Sequence, residues 1–156
     1  MNILAIDPGS SESAYCILDE RYTPLEFDKV KNDELLSNLT ALCGNYEITD
    51  VAIEMVACYG MPVGKEVFDT CVWIGRFMQK CEAIADVSYI YRKEEKMNLC
   101  GSMKAKDSNI RMALMDRFGE VGTKKSPGWF YGFRNDIWSA CAVAVTYLDK
   151  EKEKHE

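Results

Sequence analysis

The chain has 156 residues and a net charge of −6, and with 47% hydrophobic and 28% charged residues it has the composition of one globular domain rather than a disordered chain. Its seven cysteines include no C-x-x-C pair and its only histidine is His155, which argues against a zinc site and excludes Ser-His-Asp or Cys-His catalysis. We expect a cytoplasmic protein without membrane association, because neither a spanning apolar run nor a cleavable leader is apparent. Any catalysis would have to depend on carboxylates, lysines or metals.

The hydrophobic pattern predicts five strands and four helices in chain order. The predicted strands cover residues 3–6, 13–18, 25–30, 51–53 and 87–91. The predicted helices are 32–44 with Asn32 as N-cap, 68–84, a helix capped by Asp107 or Ser108 that carries Phe118, and 136–148. Two irregular loops separate them, "MVACYGMPVGKEV" and the basic-aromatic "GTKKSPGWFYGF". We expect residues 1–150 to form a single domain and residues 151–156 to be a charged tail.

This order of elements predicts an α/β fold with a mixed five-stranded sheet and helices on both faces. The strands at 3–6 and 51–53 are expected to be parallel neighbours, joined through a helical crossover. Functional groups in such sheets gather beyond the carboxyl ends of the parallel strands. Asp7 and Glu54 follow directly after these two strands.

Two carboxylates at adjacent strand ends, with axes about 4.8 Å apart, repel unless a proton or a cation lies between them. A hard cation such as Mg²⁺ suits such oxygen ligands. A third acid, Asp136, opens the last predicted helix, and Ser139 lies one turn further on the same face. The alternatives are that Asp7 only closes an Asp-Pro-Gly turn, that Glu54 is an exposed strand end, and that Asp136 complements the helix dipole.

Charge is unevenly distributed along the chain. Residues 92–134 contain ten basic and five acidic residues, a net charge of +5, so the rest of the chain carries −11. A basic segment in an acidic protein indicates either a nucleic-acid-binding surface or an ordinary solvated, mixed-charge surface.

Four stretches carry a resemblance to a known family, and they read "ILAIDPGSSESAY", "VAIEMV", "CGSMKAKDSNIRMAL" and "DIWSACAVAVTYL". They are similar in type and order to the opening strand with its metal-binding Asp, the strand of the second acid, the basic segment and the final helix of the RuvC-type Holliday junction resolvases. The resemblance covers nearly the whole chain and implies a ribonuclease H-like fold. This short, divergent chain is more similar to a phage-type member, which would act in the cytoplasm of a bacterial host cell.

The resemblance implies a metal centre that binds two Mg²⁺ ions, with Mn²⁺ as a substitute. Its ligands would be Asp7, Glu54, Asp136 and Ser139. The family usually has a carboxylate at the last of these positions, so a serine there implies one more weakly held metal. Lys104 and Lys106 match the basic residues that the family places near the scissile phosphate, and the resemblance does not decide between them.

The activity implied is metal-dependent hydrolysis of DNA, which nicks four-way junctions symmetrically during recombination and repair and leaves 5′-phosphate ends. Symmetric nicks require a twofold homodimer. Two alternatives remain open: a ribonuclease H-like nuclease with relaxed specificity for forks, flaps or other branched DNA, and a non-catalytic module that binds branched DNA. The chain is too short for the duplicated domain of the actin-like kinases.

The surfaces for DNA and for a second subunit are also expectations. Tyr59 or Met61 would replace the wedge residue of the family, unless this loop folds back onto the core. The expected DNA-binding residues are Tyr59, Met61, Lys65, Arg92, Lys93, Lys104, Lys106, Arg111, Lys124, Lys125 and Arg134, with the interleaved aromatic residues Trp129, Phe130 and Tyr131. Val72, Trp73 and Phe77 are the candidate dimer interface, with core packing as the alternative.

Overall fold

The structure is a computed structural model that describes all residues from 1 to 156, as five strands and five helices. The strands are β1 (Asn2–Asp7), β2 (Glu12–Leu18), β3 (Pro24–Lys31), β4 (Ile48–Met55) and β5 (Asp86–Tyr91). The helices are α1 (Asn32–Asn45), α2 (Lys65–Glu82), α3 (Arg92–Cys100), α4 (Asp107–Phe118) and α5 (Ile137–Lys154). None of these helices combines the length and the apolar character that crossing a bilayer requires.

The strands form one mixed sheet in the order β3-β2-β1-β4-β5. The first three strands pair antiparallel, whereas β1, β4 and β5 run parallel to one another. Ile6 pairs with Ile53, so β1 and β4 are neighbours that end side by side. The predicted mixed sheet and the predicted parallel pair are therefore confirmed.

Both faces of the sheet are covered, because successive side chains of a strand point to opposite sides. Ile3 and Ala5 of β1 belong to the apolar cluster that contains α5, and Leu4 and Ile6 belong to the cluster that contains residues of α1 and α2. In α5 every residue of the run 140–148 is buried. These two covered faces explain why the central strands are continuously apolar.

Helix α3 was not predicted, because it follows β5 without a loop and its sequence "RKEEKMNLC" lacks a clear apolar period. It begins with a capping box, in which the Tyr91 backbone N–H donates a hydrogen bond of 2.7 Å to Glu94 Oε2. The prediction of Asn32 as N-cap was wrong, since Lys31 occupies that position. The final helix also continues beyond residue 148, so the segment 151–154 is helical rather than a tail.

The aromatic loop contributes to the core. Phe130 is fully buried, and its ring centroid lies 4.9 Å from that of Trp138 in α5. The prediction that Phe130 grips DNA was therefore wrong, because its ring has no exposed surface. Trp129 stacks on Phe118 at 5.7 Å, whereas Tyr131 is exposed.

Helix α2 divides the expected dimer residues between core and surface. Phe77 is fully buried in the cluster between α1, α2 and the sheet, so its assignment to a dimer interface was wrong. Trp73 is half-buried, and Val72 is 60% exposed. Val72 and Trp73 remain predicted interface residues.

Candidate active site at the carboxyl ends of the parallel strands

Asp7 and Glu54 lie side by side at the carboxyl ends of β1 and β4, as the sequence predicts. Ile6 of β1 pairs with Ile53 of β4, so the next residues, Asp7 and Glu54, stand at neighbouring positions on this edge of the sheet. Burial and the adjacent Glu54 raise the pKa of Asp7 well above its usual value. The raised pKa means that the pair is better suited to holding a proton or a cation between the two groups than to carrying two free charges.

The turn after Asp7 is closed by other groups. Gly9 N–H donates to Ser13 Oγ at 3.1 Å, Ser13 Oγ donates to Asn32 Oδ1 at 2.5 Å, and Asn32 Nδ2 donates to the Gly9 carbonyl at 2.9 Å. Residue 9 must be glycine because a Cβ there would collide with the carbonyl oxygen of Glu12. The Asp7 carboxylate accepts none of the hydrogen bonds that close this turn, so the alternative of a simple turn residue has no support here.

Glu54 is not an exposed strand end, since its side chain is only 16% exposed. Burial, and then the neighbouring Glu95, raise the pKa of Glu54 to about 8. Glu95, in α3, is fully buried, and burial raises its pKa to about 7. Sequence analysis missed Glu95, because it lies in a charged stretch whose helix was not predicted.

Arg92 is the cation that faces this group of acids. Its Nη1 lies 2.9 Å from Glu95 Oε1 and 3.9 Å from Glu54 Oε1, and its Nη2 contacts Asp107. The side chain is 28% exposed, so it remains partly open to solvent. Arg92 was predicted to bind DNA, and the structure places it between the acids and the surface.

Asp136 precedes α5 and is paired with Lys29 of β3. Lys29 Nζ donates a hydrogen bond of 2.7 Å to Asp136 Oδ2, and this bond raises the pKa of Lys29. Asp136 also contributes to the raised pKa of Asp7, which places the three predicted acids in one electrostatic environment. Lys29 was missed because nothing in the sequence distinguishes it from other charged residues of an edge strand.

Two shallow cavities flank the acids, and Arg92 lines both. One, of about 270 Å³, is lined by Pro8, Glu54, Met55, Val56, Ala57 and Arg92. The other, of about 180 Å³, is lined by residues that include Asp107, Arg111, Asp136 and Ser139. The predicted fourth ligand, Ser139, therefore does lie next to Asp136 at an accessible surface.

The donor set suits a hard divalent cation in its chemistry. The acids offer carboxylate oxygens, and the buried Glu54 Oε1 has no hydrogen-bond partner. No three His, Cys, Asp or Glu side chains converge closely enough to hold one ion in this arrangement. The residues therefore fit a metal ion in two respects, because they offer carboxylate oxygens and because one of these oxygens has no partner. Their side chains do not converge into a complete set of ligands.

The two predicted active-site lysines line neither of the cavities beside the acids. Lys104 and Lys106 are exposed and form no ion pair. Lys104 lines a different cavity, of about 410 Å³, formed by residues of α3, α4 and the segment between them. Lys106 is the N-cap of α4. Their role near the scissile phosphate remains a prediction.

The other predicted DNA-binding residues lie on the surface. Tyr59 and Met61 are 67% and 72% exposed, so this loop does not fold back onto the core. Lys65 pairs with Asp69 at 2.6 Å. The remaining exposed cations of the predicted set are Lys93, Arg111, Lys124, Lys125 and Arg134.

Comparison with known proteins agrees with this architecture at the level of structure. The solved structure of RuvC from Thermus thermophilus superposes with a TM-score of 0.75 at 16% identity, covering 98% of this chain and 97% of that chain. The T. thermophilus RuvC in complex with a Holliday junction substrate gives 0.77 at 15% identity, covering 99% and 96%. The chain has the RuvC fold.

Sequence comparison adds no further relative, because no protein-family model and no curated protein matches the chain. At 15–16% identity the likeness to the two RuvC structures establishes the fold alone. The RuvC fold confirms the predicted ribonuclease H-like sheet with helices on both faces. What the site does must be argued from its own residues.

Proposed function

We propose that this chain is a metal-dependent endonuclease that nicks four-way DNA junctions symmetrically and leaves 5′-phosphate ends. One observation carries the proposal: Asp7 and Glu54 stand side by side at the ends of adjacent parallel strands, in a chain with the RuvC fold. Two partly buried carboxylates at neighbouring positions repel each other unless a proton or a cation lies between them, and a binding site supplies the cation.

Asp7, Glu54 and Asp136 would hold the divalent cations, Mg²⁺ or Mn²⁺, and Ser139 would be a weaker ligand beside Asp136. Divalent cations in such sites activate water and stabilise charge on a leaving oxygen. Contacts within the chain would orient these acids. The hydrogen-bonded turn at Gly9 fixes the end of β1 next to Asp7, and Lys29 fixes the Asp136 side chain through a hydrogen bond.

The exposed cations of the segment 92–134 would bind the DNA backbone, which would make binding strongly dependent on salt concentration. Arg111 and Arg92 border the cavity beside Asp136 and would contact a phosphate that entered it. One of the solved RuvC structures is a complex with a Holliday junction substrate, and this supports branched DNA as the partner of the present chain. Tyr59 and Met61 are exposed, and the Tyr59 ring would stack on a base at the branch point with Met61 beside it in the same loop.

Symmetric nicks require two active sites, and we propose a homodimer through the exposed face of α2. Val72 is a large aliphatic side chain that is 60% exposed, and Trp73 next to it is half-buried. Phe68, one turn before Val72, is also 60% exposed. An apolar strip of this kind on one helix is typical of a surface that a second subunit covers.

The second candidate is a nuclease of the same fold with relaxed specificity for forks and flaps. It is favoured by Ser139, since a serine in place of a carboxylate beside Asp136 weakens one side of the metal site. A module that binds branched DNA without cutting it is a third candidate, and the retained acids argue against it.

The test is digestion of labelled four-way junctions, forks and linear duplexes by the parent protein and by Asp7→Asn, with and without Mg²⁺. We expect only the parent with Mg²⁺ to cleave, with paired nicks in the junction. Asp33→Asn is the matched control, because Asp33 is an exposed acid in the first turn of α1. Equal cleavage by the parent and Asp7→Asn would refute the site, and preferential cleavage of forks would favour the second candidate.

A further inference from the structure

We propose that the cavity between β3 and α1 binds a small primary alkylammonium ion, at a site separate from the candidate active site. The cavity has a volume of about 200 Å³ and is lined by residues of β2, β3 and α1. It shares no lining residue with the two cavities beside the acids. The inference is therefore independent of the proposed nuclease function.

The two strands place a hydroxyl group and a carboxylate side by side on one wall of this cavity. Tyr15 of β2 pairs with Asp28 of β3, and paired residues of antiparallel strands point to the same face of the sheet. Val30, two residues after Asp28 in the same strand, adds an apolar side chain to this wall. The strand wall thus combines acceptors for hydrogen bonds with apolar surface.

Helix α1 forms the opposite wall with one mixed face. Glu34, Asn38 and Asn45 are spaced four and seven residues apart, so they lie along the same side of the helix. Leu35 and Leu42, on the same side, give this wall its apolar part. Both walls therefore offer polar and apolar groups to whatever enters between them.

The Tyr15 side chain is a buried polar group that lines this cavity without a partner. It is only 8% exposed, and its hydroxyl forms no hydrogen bond within the chain. The acids on this face have other donors, since Glu26 Oε2 accepts from the Tyr46 hydroxyl at 2.9 Å and Asp28 Oδ1 accepts from the Lys29 N–H at 2.8 Å. Buried hydroxyl groups are nearly always hydrogen-bonded, so an unpaired one facing a cavity indicates a ligand.

The cavity also carries negative charge that the protein does not neutralise. Asp28 and Glu34 both line it, whereas no lysine or arginine does. The neighbouring lysine of β3, Lys29, is occupied elsewhere, because its Nζ pairs with Asp136 at 2.7 Å. Two carboxylates around one cavity favour the binding of a cation between them.

The chemistry of the walls selects an ammonium group on a short alkyl chain. A primary ammonium group donates three hydrogen bonds, and the Tyr15 hydroxyl and the carboxylates of Asp28 and Glu34 supply three acceptors. The apolar side chains of both walls would contact methylene groups, which a metal ion lacks, and no three acids converge here to bind a metal. The volume lies below the range of about 300–1,000 Å³ for pockets that hold drug-sized ligands, so the ligand is small.

The experiment follows the amide resonances of the parent protein by nuclear magnetic resonance while n-butylammonium chloride is added, without metal or DNA. We expect saturable shifts at residues of β2, β3 and α1 that line the cavity. The neutral analogue 1-butanol tests the need for charge, and KCl at the same ionic strength tests for simple screening. Neither should produce the saturable shifts.

Three variants remove one acceptor each: Asp28→Asn, Glu34→Gln and Tyr15→Phe. We expect the affinity for n-butylammonium to fall about threefold to fivefold in each, and at least about tenfold when the two acids are replaced together. Asp33→Asn is the matched control, because Asp33 is an exposed acid in the first turn of α1 that does not line the cavity. Its affinity should equal that of the parent.

Two outcomes would overturn the inference. The first is that n-butylammonium produces no saturable shifts at the cavity beyond those of KCl, or that 1-butanol binds equally well. The second is that the double variant of Asp28 and Glu34 binds as tightly as Asp33→Asn. Glu34 is exposed on the helix surface, so Glu34→Gln keeps the test decisive even if another variant disturbs the fold.

Discussion

Lys29 Nζ lies 2.7 Å from Asp136 Oδ2, so an ammonium group from β3 neutralises one of the predicted metal ligands. Both side chains are partly exposed, at 33% and 50%, and such a pair contributes less than about 1 kcal/mol to the free energy of unfolding. We expect Lys29→Met to leave stability almost unchanged and to tighten Mn²⁺ binding several-fold, because a competing positive charge beside Asp136 is removed. Titration calorimetry measures both the affinity and the stoichiometry.

The matched control for this prediction is Lys31→Met, which removes a lysine from the same strand. Lys31 is exposed and forms no ion pair. Mn²⁺ affinity should be the same in this variant as in the parent. A Lys29→Met protein with weakened Mn²⁺ binding would show instead that the ammonium group orients Asp136 for its ligand role.

Asp7→Asn should change activity and stability in opposite directions. The substitution removes a partly buried carboxyl group that Glu54 repels, so we expect the free energy of unfolding in EDTA to rise by about 1 kcal/mol. Cleavage should fall by at least about 100-fold, since a central ligand is lost. Urea denaturation followed by circular dichroism gives the stability, and a marked loss of stability would mean that Asp7 has a structural role.

The hydrogen bonds of the buried Asn32 side chain should stabilise the turn after β1. Asn32→Ala removes the hydrogen bonds to the Gly9 carbonyl and from Ser13 Oγ, and leaves both groups unsatisfied. We expect a loss of about 1–3 kcal/mol in the free energy of unfolding. Asn38→Ala, at an exposed position of α1, is the control and should change stability by less than about 0.5 kcal/mol. Equal effects would contradict the role given to Asn32.

Asp149 in α5 should make the fold sensitive to acid. Burial alone would raise the pKa of Asp149, but hydrogen bonds from Arg117, Tyr22 and Asn98 outweigh it and lower that pKa. The ionised group therefore contributes stability above the pKa of an unfolded aspartate, and this contribution is lost as the pH falls through the lower folded value.

The variant Asp149→Asn tests this contribution. At pH 7 we expect the free energy of unfolding of this variant to be about 1–3 kcal/mol lower than that of the parent, because Arg117 loses a charged partner. The difference should shrink as the pH falls below about 4. Chemical denaturation at several pH values measures it, and a difference that is independent of pH would refute the assignment.

Helix α2 allows the proposed dimer to be tested separately from the core. Val72→Asp places a charge on the exposed strip and should convert a dimer into a monomer without lowering the melting temperature of the monomer. Phe77→Ala should instead lower the free energy of unfolding by about 3–5 kcal/mol, because it leaves a cavity at a fully buried site. Sedimentation velocity reports the oligomeric state, and a parent that is monomeric with and without DNA would refute the symmetric resolvase.

Much of the fold follows from local patterns in the sequence. Continuous apolar runs predicted the central strands, and the order of strands and helices predicted that β1 and β4 are parallel neighbours. Asp7 and Glu54 could be paired in advance because both follow such strands directly, and parallel strands end at the same edge of a sheet.

The tertiary structure decided which other charged groups join these two acids. Glu95 and Lys29 are single charges in charged stretches, and only the packing of α3 and β3 brings them to the site. It also decided that Phe77 and Phe130 are buried, because burial depends on which face of an element meets the sheet. The local sequence pattern determined the strands that carry Asp7 and Glu54. The charged residues around these two acids were determined by contacts between residues distant in the chain, which no local pattern encodes.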